Sequence, residues 1–64
     1  MKINTEKIIS EMKRAGYKNT TDFSKALGME RQSVDRILKV KSTTLKTLNR
    51  LGEFFHLDAK EFLR

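Results

Sequence analysis

Residues 20–39 read TTDFSKALGMERQSVDRILK, and the spacing of their apolar side chains decides the fold. Phe23 and Leu27 stand one helical turn apart, and Val34, Ile37 and Leu38 repeat at three and four residues. That is the period of a helix with one buried face. Gly28 and Met29 separate the two runs. Glycine is the residue that enters a tight turn at positive φ without a side-chain penalty. Two short helices meeting at an angle are expected, with Phe23, Ala26 and Leu27 of the first and Val34 and Ile37 of the second buried between them. The front of the second helix is then polar. Arg31, Gln32, Ser33 and Arg36 all carry side chains that can reach and hydrogen-bond a partner.

The same period continues outward from this centre, and no segment alternates at period two. A first helix is expected from about Thr5 to Ala15, with Ile8, Ile9 and Met12 on one face and a stop at Gly16. Asn19 has the chemistry of an N-cap, and Asp22 falls in the positively polarised first turn of the next helix. The third helix begins near Glu30. After a polar, basic stretch from Val40 to Thr43, Thr44 can cap a fourth helix carrying Leu45, Leu48, Leu51 and Phe55, which ends at His56. Asp58 and Glu61 have capping-box spacing, which predicts a last short helix offering Ala59, Phe62 and Leu63. The expected architecture is an all-α bundle of five helices, one domain over residues 1–64.

Composition narrows the functions open to such a chain. It has 64 residues, 7.5 kDa, no Cys, no Pro and no Trp. A domain of this size hides about 60% of its unfolded surface, which leaves no room for a deep substrate cavity. Lack of cysteine removes disulfides and thiolate metal sites, and no apolar stretch nears the roughly 20 residues of a membrane span. The opening MKINTEKIIS lacks the apolar run of a secretory signal. A reducing cytoplasm is the expected location. Fourteen Lys and Arg against 8 Asp and Glu give a net charge of +6, which favours a polyanionic partner. The charge is uneven: residues 1–52 hold 12 basic and 5 acidic side chains, and residues 53–64 hold 2 and 3.

Phe23, Leu27, Gly28, Val34 and Ile37 match the apolar and glycine positions of a helix-turn-helix. With LKTLNRLGEFFHLDAKEFL, Leu45 to Leu63, as the last two helices, nearly the whole chain resembles the DNA-binding domains of phage Cro proteins and repressors, the XRE-like family. The resemblance implies a lambda-repressor-like five-helix bundle with its motif at about residues 20–39. It also implies a Cro-like transcriptional repressor that occupies a palindromic operator on double-stranded DNA as a dimer. Compact members of the family often come from phages or mobile elements. Several positions depart from the family pattern. Ser24 replaces a usual alanine, and its hydroxyl can bond back to a carbonyl. Glu30 stands where a better N-cap is usual. Val40 and His56 replace glycine at two helix ends, which are therefore expected to close without a left-handed residue. The turn from Gly16 to Asn19 is a residue longer than usual.

In the family geometry the third helix lies in the major groove. Arg31 and Arg36 would then present paired donors to guanine, Gln32 would pair with adenine, and Ser33 could donate or accept. Phosphate contacts fall to Asn19 and Thr20 at the start of the second helix and to Lys39, Lys41, Ser42 and Thr43 beyond the third. Thr44 opens a second helix end suited to an anion. The plainer reading makes Arg31 to Arg36 a solvated face, the lysines aids to solubility and Thr44 an ordinary cap.

The C-terminal segment poses a separate question. Phe54, Phe55, Leu57, Phe62 and Leu63 are more bulky apolar side chains than a terminal turn easily buries. Either they finish the core, or Phe54, Leu57 and Phe62 form a dimer or partner surface. The competing function is a protein-interaction module of the same fold, such as an antitoxin, antirepressor or accessory factor. An enzyme is not expected, because His56 is the sole histidine and no cluster suggests a metal site. No cofactor is implied. RNA is disfavoured because no exposed aromatic pair is evident, and Tyr17 is expected to pack in its turn.

Overall fold

The chain folds as four α-helices, α1 (Thr5–Arg14), α2 (Thr20–Leu27), α3 (Arg31–Val40) and α4 (Leu45–Phe55), followed by a single 3-10 turn (Ala59–Phe62). This computed structural model describes residues 2–64. Each helix start has a local cause. Asn4, Asn19 and Thr44 lie in extended backbone and accept through their side chains from the N–H groups of Lys7, Asp22 and Thr47. Each bond satisfies one of the donors that a helix leaves orphaned. Glu30 precedes α3 without a side-chain cap. The hydroxyl of Ser24 donates to the Thr21 carbonyl at 2.9 Å, as its position suggests.

The helix ends correct one expectation. α1 closes through Gly16 (φ 95) and α2 through Gly28 (φ 76), as anticipated. α3 and α4, however, also close through left-handed residues, and these are Lys41 (φ 60) and His56 (φ 58). At α4 the Leu57 N–H returns five residues to the Gly52 carbonyl at 2.8 Å, a bond that needs a left-handed residue at the corner. At α3 the Lys41 N–H makes an ordinary helical bond to Ile37 at 2.8 Å, and the left-handed corner carries the chain on to the segment where the Lys41 carbonyl accepts from Ile3 N–H. Here that residue carries a side chain and the strain with it.

Ile3, Ile8, Met12, Phe23, Leu27, Val34, Leu48, Leu51 and Phe62 form one buried core. Ala26 is exposed, and Ser24 takes the buried place beside Phe23 and Leu27. The aromatic rings sit at one end of the core. Phe23 stacks on Phe55 at 5.6 Å between centroids, Phe54 meets Phe55 edge-on at 5.0 Å, and Tyr17 leans on Phe23 and Phe54. Such offset and edge contacts suit the ring quadrupoles. Gly52 lets the chain fold back over α4, because a Cβ there would lie 2.6 Å from the Leu57 carbonyl oxygen.

The expected fifth helix is reduced to the 3-10 turn. The Asp58 carboxylate accepts from the Lys60 N–H at 3.0 Å, two residues on rather than three. Tight bonds follow from Glu61 to Asp58 and from Leu63 to Lys60. Leu63 is already extended, because it pairs with the N-terminal segment. The Ile3 N–H donates to Lys41, the Asn4 N–H to Phe62 and the Arg64 N–H to Lys2. Two isolated bridges result, Lys2 with Ser42 and Ile3 with Leu63. Residues 2–3 are thus stitched between the corner after α3 and the end of the chain.

Candidate nucleic-acid interface

α2 packs against α3 across the Gly28–Met29 turn. On α3, Val34 is buried and Ile37 and Leu38 are half-buried. At about 100° per residue these three define the inward direction. Gln32 and Arg36 then fall roughly 160–200° from it, with Lys39 close beside them. All three are exposed. They form the centre line of the outward face, with Arg31 on the flank toward α2 and Ser33 on the opposite flank.

Arg31 is already engaged. Its Nε lies 3.3 Å from Asp35 Oδ2, one turn along the same helix. Both side chains are well exposed, so the pair is worth at most about 0.5 kcal/mol and yields readily to a stronger acceptor. Its spacing, acid four residues after base, is visible in the sequence. The side chains of Gln32 and Arg36 have no hydrogen bond or ion pair among the described residues. Their donors and acceptors are therefore available without breaking anything.

The residues expected to meet phosphate lie at two helix starts and one corner. Asn19 is exposed and its side chain takes the Asp22 N–H. The Phe23 N–H goes to the Asn19 carbonyl, which leaves the N–H groups of Thr20 and Thr21 pointing out of the helix end. Thr44 repeats this arrangement: its hydroxyl oxygen accepts from Thr47 N–H and its carbonyl from Leu48 N–H. Lys39 and Lys41 are exposed, while Ser42 and Thr43 are half-buried and partnered. Lys41 and Ser42 form the corner after α3, and Lys39 stays within the helix on its outward face. Asn19 and Thr20 belong to a separate helix end.

No family model, curated protein or solved structure matches this chain.

The C-terminal set needs correction. Phe62 is fully buried, so it belongs to the core and not to any partner surface. Phe54 and Leu57 are half-buried and line an open groove with Tyr17 and Phe55, bordered by Glu11 and Arg14. Glu11 is itself largely buried and lies 3.8 Å from both Lys7 and Arg14. Tyr17 and Phe55 are the groove residues that the sequence reading did not assign to this surface. Their place follows from a ring cluster assembled from distant segments. Among the described residues no group of three or more His, Cys, Asp or Glu could hold a metal, and no helix is long and apolar enough to cross a membrane.

Proposed function

We propose that the protein is a sequence-specific double-stranded DNA-binding regulator, a repressor of the Cro type with a lambda-repressor-like fold, which occupies its operator as a dimer. One observation carries the reading: α3 leaves Gln32, Arg36 and Lys39 on a continuous outward face flanked by Arg31 and Ser33. Nothing in the core requires those side chains, and they match the groups that read base edges and grip phosphate. The helix ends at Thr20 and Thr44 and the exposed Lys41 after α3 supply further groups suited to an anion. The chain acts as a binder and not as a catalyst.

A second reading rests on the aromatic groove. Tyr17, Phe54, Phe55 and Leu57 give a half-exposed apolar surface that suits a second copy on a two-fold axis. It would equally suit a different protein, which is the interaction-module alternative.

Selection from a random duplex pool at about 150 mM salt tests both, a salt at which non-specific binding is weak. An enriched palindrome with half-sites about 34 Å apart supports the dimeric operator binder. A single enriched half-site retains the reading helix and removes the symmetric dimer. Absence of enrichment removes the DNA reading and turns attention to the aromatic groove. Arg36→Ala and Gln32→Ala should each relax preference at one base pair by about 1–3 kcal/mol.

A further inference from the structure

We infer that Lys2 and Arg64, held together by the stitched segment beside the corner after α3, form a second phosphate grip for the same duplex. This rests on the DNA-binding reading and extends it to the two ends of the sequence. Antiparallel pairing of Ile3 with Leu63 places Lys2 opposite Arg64, and the bridge on the other side places Lys2 opposite Ser42. The Arg64 N–H to Lys2 carbonyl bond at 3.4 Å fixes the register. Lys2 and Arg64 are both exposed, and Ser42 is half-buried. Neighbouring extended segments lie about 4.8 Å apart, so the Lys2 and Arg64 backbones lie side by side, with Ser42, which follows Lys41, on the other side of Lys2.

The charge arrangement points to a ligand. Directly opposed like charges destabilise a pairing, yet the register sets Lys2 against Arg64. Neither has an ion-pair partner among the described residues, whereas Glu11 alone draws two cations and Asp35 holds Arg31. Lys39 and Lys41, also unpaired among those residues, continue the basic surface into α3. A sugar–phosphate backbone running past α3 would meet these side chains and relieve the repulsion. Lys2 lies 40 residues from Ser42 in sequence, so the patch exists only once the stitch has formed. Both side chains leave the backbone pairing intact when they are exchanged for neutral ones.

The test is the salt dependence of binding to a mixed-sequence duplex of about 30 base pairs, roughly three turns. Lys2→Gln and Arg64→Gln should each reduce the slope of log K against log salt by about 0.9 in magnitude. Between 50 and 200 mM salt that is about a 3.5-fold smaller loss of affinity per variant. Base preference in the selected pool should stay as in the parent. Relief of the opposed charges should leave thermal stability equal or higher. Arg14→Gln removes the same charge at the far end of α1, about 15 Å along its axis, and should keep the parental slope. If the parent shows no salt-dependent duplex binding, the DNA reading fails and the grip with it. If the parent binds and the Lys2 and Arg64 variants keep its slope, the grip alone fails. A slope change as large in Arg14→Gln would reduce the effect to net charge and also overturn the grip.

Discussion

Lys41 is where stability and DNA binding are expected to pull apart. It closes α3 at φ 60 and ψ 35, a conformation that costs an L-residue roughly 1–2 kcal/mol. Glycine escapes that cost, although its larger freedom in the unfolded chain returns about 0.5–1 kcal/mol. Lys41→Gly should therefore stabilise the fold by about 0.5–1 kcal/mol. At roughly 4–8 °C per kcal/mol for a domain of this size, thermal melting should rise by about 2–8 °C. Lys41→Ala keeps the Cβ and the strain, so its melting temperature should stay near that of the parent. Neither variant disturbs the bond from Ile3 N–H to the residue 41 carbonyl. On DNA the two should behave alike, each losing one phosphate contact and about 0.9 of the salt slope on every sequence. Thermal melts by circular dichroism and salt titrations on one duplex measure both effects. A melting temperature for Lys41→Gly at or below that of Lys41→Ala would refute the strain argument. An unchanged slope in both would remove Lys41 from the interface.

Other expectations follow from single positions. Gly52→Ala forces a Cβ toward the Leu57 carbonyl oxygen, where 2.6 Å separates them; a loss of about 1–3 kcal/mol is expected, read by urea unfolding. Asn19→Ala should cost about 1 kcal/mol in stability through the lost cap and should weaken duplex binding without changing base preference. Phe62→Ala should cost about 3–5 kcal/mol, enough to leave little folded protein at 37 °C. If it instead folded normally and only failed to dimerise, its burial would be contradicted.

The sequence displays most of the local structure. Asn19, Thr44 and Asp58 act as caps, Gly16 and Gly28 close their helices, and Ser24 bonds back to a carbonyl. These signals are legible because each depends on a few neighbouring residues. The missed features depend on distant ones. Lys41 and His56 give no local hint of left-handed backbone, which comes from the reversal the following segment must make. The final turn stays 3-10 because Leu63 is drawn into pairing with Ile3, sixty residues away. Phe62 could by its sequence finish the core or face a partner, and its full burial places it in the core. For the candidate site, the polar residues of α3 are evident from the pattern. Their division into a free centre at Gln32 and Arg36 and a tethered flank at Arg31 needs the ion pair with Asp35.

The stitch also sets an order of assembly. α2, its turn and α3 are local in sequence and can form early, whereas joining Ile3 to Leu63 closes a loop of about 60 residues at an entropic cost of about 3–4 kcal/mol. Interactions made late leave their mark on unfolding rates and not on folding rates. Ile3→Val should hence speed unfolding while folding proceeds at nearly the parental rate. The lifetime of the folded chain is then expected to depend on a contact remote from the local α2–α3 pair. The paired ends act as the latch that opens first.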